Sequence, residues 1–418
     1  MINRLQPSKL IIAVIFTLTI AANTLADTVT DWNRIAVQEV ITAARPGPSC
    51  ALDTATVQVA VYDAVQAIVR EYQPYYVVIP GATGSPSSAA AKAAHAVLVS
   101  RFPGRTAAID AIYQQYLFDH GMNPADPGVA VGTAAAVGII ALRSTDGSFP
   151  VPPPPPFVGS VAIGVWRPTP PANAPMAAPW LATVTPFALV SPSQFRPQGG
   201  PDLNSPEYTR DYEEVKLLGK SDSTARTAEQ TDMANFWNSN YVVLFNQLPA
   251  NLADAKLNNI GDSARLLALV TMSMADSAIT SWDSKITFLT WRPITAIREG
   301  DNDGNSKTEG DPTWSPFIPT PPYPDYTSGA NNLTAAATRS LALFFGTNEM
   351  NFTITTTNPG PTIQDTRSFT KFSDVQEEVV LARILEGIHF RFADEPARKQ
   401  GRQVAQWLHS HFLRPIGE

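Results

Sequence analysis

Three blocks in the second half of the chain hold residue types able to grip an oxyanion. Lys285 and Arg292 lie in WDSKITFLTWRP, Ser328 and Gly329 in PPYPDYTSGANN, and Arg383 and His389 in LARILEGIHFRFADE. Three cations, a hydroxyl beside a flexible glycine and one imidazole are the inventory for holding a tetrahedral or trigonal anion of high charge. Each piece also has a bland account: a solvated Lys and Arg, a Ser-Gly helix cap, a core histidine with one satisfied nitrogen. The neighbours of the first pair weigh against solvation, because Ile286, Phe288, Leu289 and Trp291 leave that segment little polar face.

These residues need elements to position them. Lys285 and Arg292 are seven apart, close to two helical turns, which predicts one shared face on a helix from Asp262 to Trp291 that stops before Pro293. The proline-rich approach PFIPTPPYPDY delivers Thr327, Ser328 and Gly329 to a helix predicted from Asn331 to Phe345, whose free N-terminal amides suit an anion. Ser373 and Gln376 have capping-box spacing, which predicts a helix running on through Phe392. On it Arg383 and His389, about 240° apart, point to different faces, so Arg383 must reach round. Glu386 and Asp394 flank His389, and either carboxylate is a candidate to orient its ring.

Around these blocks the chain reads as all-α. Asp31 to Ala44, Thr54 to Tyr72, Ser87 to Phe102, Thr106 to His120 and Gly128 to Leu142 carry apolar residues at three and four, as do Ser205 to Gly219 and Ser223 to Trp237. Two helical bundles are expected, over 27–147 and 205–418, with the anion site in the core of the second. A proline-rich crossing, 148–204, joins them. Its Trp166, Trp180, Phe187 and Phe195 predict a packed cover over the site mouth. A small hairpin is expected from Phe352 to Thr357 and Thr362 to Ser368.

Residues 1–26 have the charge, apolar run and small-residue end of a secretory signal peptide, too short to span a bilayer, which predicts a periplasmic or secreted protein. A net charge of −7 without a basic cluster argues against nucleic acid, and the lone Cys50 precludes an internal disulfide. The acidic run from Asp301 has Ser306 and Pro312 where a calcium loop needs glycine and glutamate, so calcium is not expected. Oligomeric state has no signal in the sequence.

The three blocks, in this order, resemble the vanadium-dependent haloperoxidase and type 2 phosphatidic acid phosphatase superfamily. Its signature is Lys, six residues, Arg-Pro; then Pro-Ser-Gly-His; then Ser-Arg, five residues, His. Lys285, Arg292 and Pro293 match the first in full, Ser328 and Gly329 part of the second, and Arg383 and His389 the third, with Ala382 for the Ser. DWNRIAVQEV, VWRPTPP, VTPFALVSPSQFRP and WRPITAIR extend the likeness to the bacterial secreted haloperoxidase branch.

The resemblance implies that Lys285, Arg292, Ser328, Gly329 and Arg383 bind the oxygens of vanadate, with phosphate as a competing ligand. It implies that His389 bonds to vanadium, or attacks phosphorus in phosphatase chemistry, and that Tyr323 lies on the halide side. Hydrogen peroxide and a halide or organic molecule would be the substrates. Thr327 replaces the motif's Pro, and Ala330 replaces the histidine that serves the family as acid and base. General acid-base help is typically worth about 100- to 10,000-fold in rate, and a methyl group supplies none. Three readings therefore stand: a vanadate-dependent peroxidase with altered turnover, an acid phosphatase on the same site, and a non-catalytic anion binder.

Overall fold

The computed structural model describes residues 27–45, 47–359 and 364–417. The expected leader, 1–26, lies outside the described residues, as do positions 362 and 363 of the expected hairpin. Among the described residues the secondary structure is helical apart from one two-stranded sheet. The first group is α1 (Thr28–Thr42), α2 (Cys50–Val69), α3 (Pro86–Arg101), α4 (Thr106–Asp119) and α5 (Pro127–Arg143). After the crossing come α6 (Pro206–Leu218), α7 (Ala228–Trp237), α8 (Tyr241–Lys256), α9 (Ile260–Phe288), α10 (Pro293–Arg298) and α11 (Gly329–Phe344). The hairpin β1 (Glu349–Thr355) and β2 (Thr366–Lys371) precedes α12 (Phe372–Leu385) and α13 (Arg391–His411). No helix among the described residues is long and apolar enough to cross a membrane.

α9 is the axis of the molecule. From Leu266 to Lys285 every residue is buried, and the helix packs on α2, α8, α11 and α13. A helix buried on all sides must satisfy its own polar side chains. Thr271 Oγ1 donates to Leu267 O at 2.7 Å and Ser284 Oγ to Thr280 O at 3.0 Å, while Ser340 Oγ on α11 bonds Ser273 Oγ at 2.9 Å. Small side chains such as Ala268, Ala275 and Ala278 let the neighbours come close.

The proline-rich stretch packs against α9. Asp276 of α9, fully buried, accepts the amides of Phe187, Ala188 and Leu189 at 2.6, 2.8 and 3.1 Å. Trp166 is buried and its amide donates to Leu289 O at 2.6 Å, and Ala177 N donates to Pro322 O at 2.9 Å. Those last two bonds fix the segments that carry the candidate site residues.

Several expected elements shift by a few residues, among them α2, α7 and the hairpin, and two differ in ways that bear on the site. The helix through Arg292 ends at Phe288, where Leu289 takes a left-handed conformation (φ 48°) that closes it. The helix through Phe392 breaks after Leu385, because Gly387 has φ 78° and α13 starts afresh at Arg391. Ser373 forms no capping box: the N-cap of α12 is Lys371, without a side-chain bond, and Gln376 instead bonds Thr338 Oγ1 at 2.8 Å. α8, which carries Pro249 inside it, had no counterpart among the expected helices.

Candidate oxyanion site

Three turns, each at a helix end, meet beside α9. Lys285 sits in the last turn of α9. The chain then reverses through Leu289 and a bridge between Thr290 and Val165, and presents Arg292 as the N-cap of α10, with Pro293 at the first helical position. Lys285 and Arg292 thus converge through a loop, and the expected shared helix face does not exist. The second turn is pinned by Asp325 N to Thr290 O at 2.9 Å and Ser328 N to Ala393 O at 3.0 Å, and it ends at Gly329, the start of α11. The third is the Gly387 break, which places His389 between helices, so Arg383 has no helix side to reach around.

The side chains interlock. Arg292 Nε donates to Tyr323 O at 2.7 Å, and its Nη1 donates to Ile388 O at 2.6 Å and His389 Nε2 at 3.1 Å. Lys285 Nζ donates to Pro324 O at 2.6 Å and Asp325 O at 3.0 Å. The Tyr323 ring lies 5.0 Å from Lys285 Nζ and 4.9 Å from the Arg292 guanidinium carbon. Asp325 Oδ1 stands 2.6 Å from His389 Nδ1 and 3.5 Å from Arg292 Nη1. Arg383 pairs with Glu386 at 2.5 Å. Asn331 Nδ2 bonds Ser328 Oγ at 3.2 Å and Asp394 Oδ1 at 2.7 Å.

The carboxylate that faces His389 is Asp325. Neither sequence candidate does so: Glu386 is committed to Arg383 and Asp394 to Asn331. Asp325 lies far from His389 in sequence; its only signal was a carboxylate placed among the prolines of PPYPDY.

Burial sets the electrostatics. Lys285, Arg292, Asp325, Glu386 and Asp394 are all 0% exposed, His389 1% and Arg383 6%. Desolvation, followed by the charges of Arg292, Lys285 and Arg383, pushes His389 well below its ordinary range, so its imidazole is neutral. With Nδ1 against Asp325 and Nε2 toward Arg292, the proton belongs on Nδ1 and the lone pair on Nε2. Burial also drives Lys285 well down, with Arg292 adding to the effect, and raises Asp325 and Glu386 each to about 7. Burial opposes the charge on Arg383, but Glu386, Tyr241, Tyr323 and Asp394 together more than offset it.

The residues present fit a small, multiply charged oxyanion. Arg292 Nη2 and Arg383 Nε are buried donors with no hydrogen-bond partner among the described residues. A donor left so costs about 1–3 kcal/mol, which an anionic oxygen would recover. Ser328 has no capping bond of its own, and a Cβ at Gly329 would stand a tight 3.3 Å from Trp282, so the backbone of the turn passes close to that ring. Ala330, half-buried on the first turn of α11, offers no titratable group.

The helical scaffold has known counterparts. Residues 265–418 match the family described as the VCPO second helical-bundle domain. Over 89 residues the chain is 38% identical to the vanadium chloroperoxidase of Curvularia inaequalis; the match takes in 19% of this chain and 14% of that protein, well under two thirds of its length. The fold is similar to that of the first bacterial vanadium-dependent iodoperoxidase, with TM-score 0.78 and 24% identity over 92% of this chain and 97% of that one. It is also similar to a holo-type bacterial vanadium-dependent chloroperoxidase, with TM-score 0.70 and 18% identity over 87% and 92% of the two chains. Residues 265–418 are thus similar to the second helical-bundle domain of that family, and the chain as a whole shares the helical fold of the bacterial vanadium haloperoxidases.

Proposed function

We propose that the chain is an exported vanadate-dependent peroxidase that oxidises a halide with hydrogen peroxide. Vanadate, when bound, supplies the Lewis acidity that activates peroxide. Lys285, Arg292 and Arg383 balance the charge of its oxygens, with the Ser328 hydroxyl and the backbone at Gly329 as further donors. His389 Nε2 is the vanadium ligand, and Asp325 holds the proton on Nδ1 so that this lone pair stays available. Tyr323, stacked near Lys285 and Arg292, borders the halide side.

The observation that carries this reading is the neutral His389 set among three buried cations, two of which keep unpartnered donors. Ala330 favours two further readings, a phosphatase in which His389 Nε2 attacks phosphorus and a non-catalytic phosphate or vanadate binder. Purified protein assayed with and without vanadate separates them, with iodide and bromide as first halides given the likeness to an iodoperoxidase. Vanadate-dependent halide oxidation supports the peroxidase. Phosphoester cleavage that vanadate inhibits points to the phosphatase, and tight anion binding with neither activity to the binder.

A further inference from the structure

The site holds one acidic side chain that the anion cage does not use. Asp394, in the first turn of α13, is 0% exposed. Its Oδ1 accepts from Asn331 Nδ2 at 2.7 Å, and the same amide reaches Ser328 Oγ at 3.2 Å. Its Oδ2 accepts no well-formed hydrogen bond among the described residues, although the Ser328 hydroxyl is close enough to favour the ionised carboxylate. The backbone ties it to the Ser-Gly turn, because Ser328 N donates to the neighbouring Ala393 O at 3.0 Å. The carboxyl lies against the Ser328 hydroxyl, beside the turn where Ala330 stands in place of the histidine of the resembled motif.

We propose that Asp394 is the proton-transferring residue of this site, exchanging a proton through Oδ2 with the oxygen of the bound anion nearest Ser328, in place of a histidine at position 330. This inference rests on the peroxidase reading above. The exchange conserves protons: the carboxylic acid would give one proton to a departing hydroxyl, which leaves as water, and the resulting carboxylate would take one from the incoming hydrogen peroxide, whose hydroperoxide anion takes the vacated position. Burial, reinforced by the nearby charge of Asp325, holds the Asp394 carboxyl well above the usual carboxylate range, so it keeps its proton where an exposed aspartate has none. Asn331 is the positioning residue, since its amide links Asp394 to Ser328.

The charged and titratable groups within electrostatic reach of Asp394 are Asp325, Lys285, Arg292, Arg383, Tyr241 and Arg391. All are kept in Asp394→Asn, which preserves the acceptor for Asn331, so a difference from the unaltered protein isolates Asp394. Ionised Asp394 repels an anion. Binding of inorganic phosphate to the unaltered protein should therefore weaken more steeply with rising pH than binding to D394N, which is measured by titration calorimetry on folded samples. Vanadate-dependent iodide oxidation on the same samples should fall by roughly 100-fold or more in D394N, and adding Ala330→His should restore at least about tenfold. D394N with turnover within about threefold of the unaltered protein and the same pH slope overturns the inference, as does an unaltered protein that binds phosphate but does not turn over. An unaltered protein that binds neither phosphate nor vanadate overturns the peroxidase reading itself.

Discussion

His389 is a neutral imidazole because burial and three neighbouring cations disfavour its charge, and its tautomer is set by Asp325 on one side and Arg292 on the other. Partners of this kind typically contribute about 10- to 100-fold to the affinity of the group their histidine binds. Asp325→Asn is therefore expected to weaken vanadate binding by about that factor without unfolding the protein, as measured by titration and circular dichroism. Unchanged affinity would mean that Asp325 is structural only. The residue types of the site were legible in the sequence, since buried Lys and Arg beside an imidazole have few other uses. Asp325 was not: it acts on a histidine that meets it only in the fold, and local spacing favoured Glu386 and Asp394, which are spent on Arg383 and Asn331.

At the scale of elements, turns position the cage where helix faces were expected. Helical spacing between Lys285 and Arg292, and between Arg383 and His389, was real but uninformative, because each pair straddles a chain reversal. Leu289 hid the first: a left-handed leucine carries no glycine signal. Gly387 hid the second, since a lone glycine inside a helical pattern is often tolerated. A Cβ at Gly387 would run into the Gly219 carbonyl oxygen, and φ 78° is strained for any other residue. Gly387→Ala should destabilise the fold by about 1–3 kcal/mol or more and displace His389, lowering vanadate affinity together with the unfolding temperature. A variant of normal stability and affinity would show that the break is not needed.

For the whole molecule, one buried apolar cluster runs from Val29 to Leu413, a smaller one lies around Trp291, Trp314 and Phe390, and α9 passes through the larger. All-helical character and most helix positions followed from periodicity. The route of the proline-rich stretch did not, because it depends on single long-range bonds such as those to Asp276. Burying so many ionisable groups also makes stability depend on pH. Folded Glu386 holds its proton up to about 7, above the ordinary glutamate value of 4.5. Its contribution is thus full below that ordinary value and is lost as pH rises through about 7. The unfolding temperature should decline over that window, and Glu386→Gln should flatten part of the decline in calorimetric scans; an unchanged slope would remove Glu386 as a cause.

The central claim is that Lys285, Arg292, Ser328, Arg383 and His389 surround one small anion. A crystal structure of the protein grown with orthovanadate tests it most directly. Vanadium is expected at bonding distance from His389 Nε2, with its oxygens against those cations and the Ser328 turn. Vanadate bound elsewhere, or absent while His389 still faces Arg292, would contradict it.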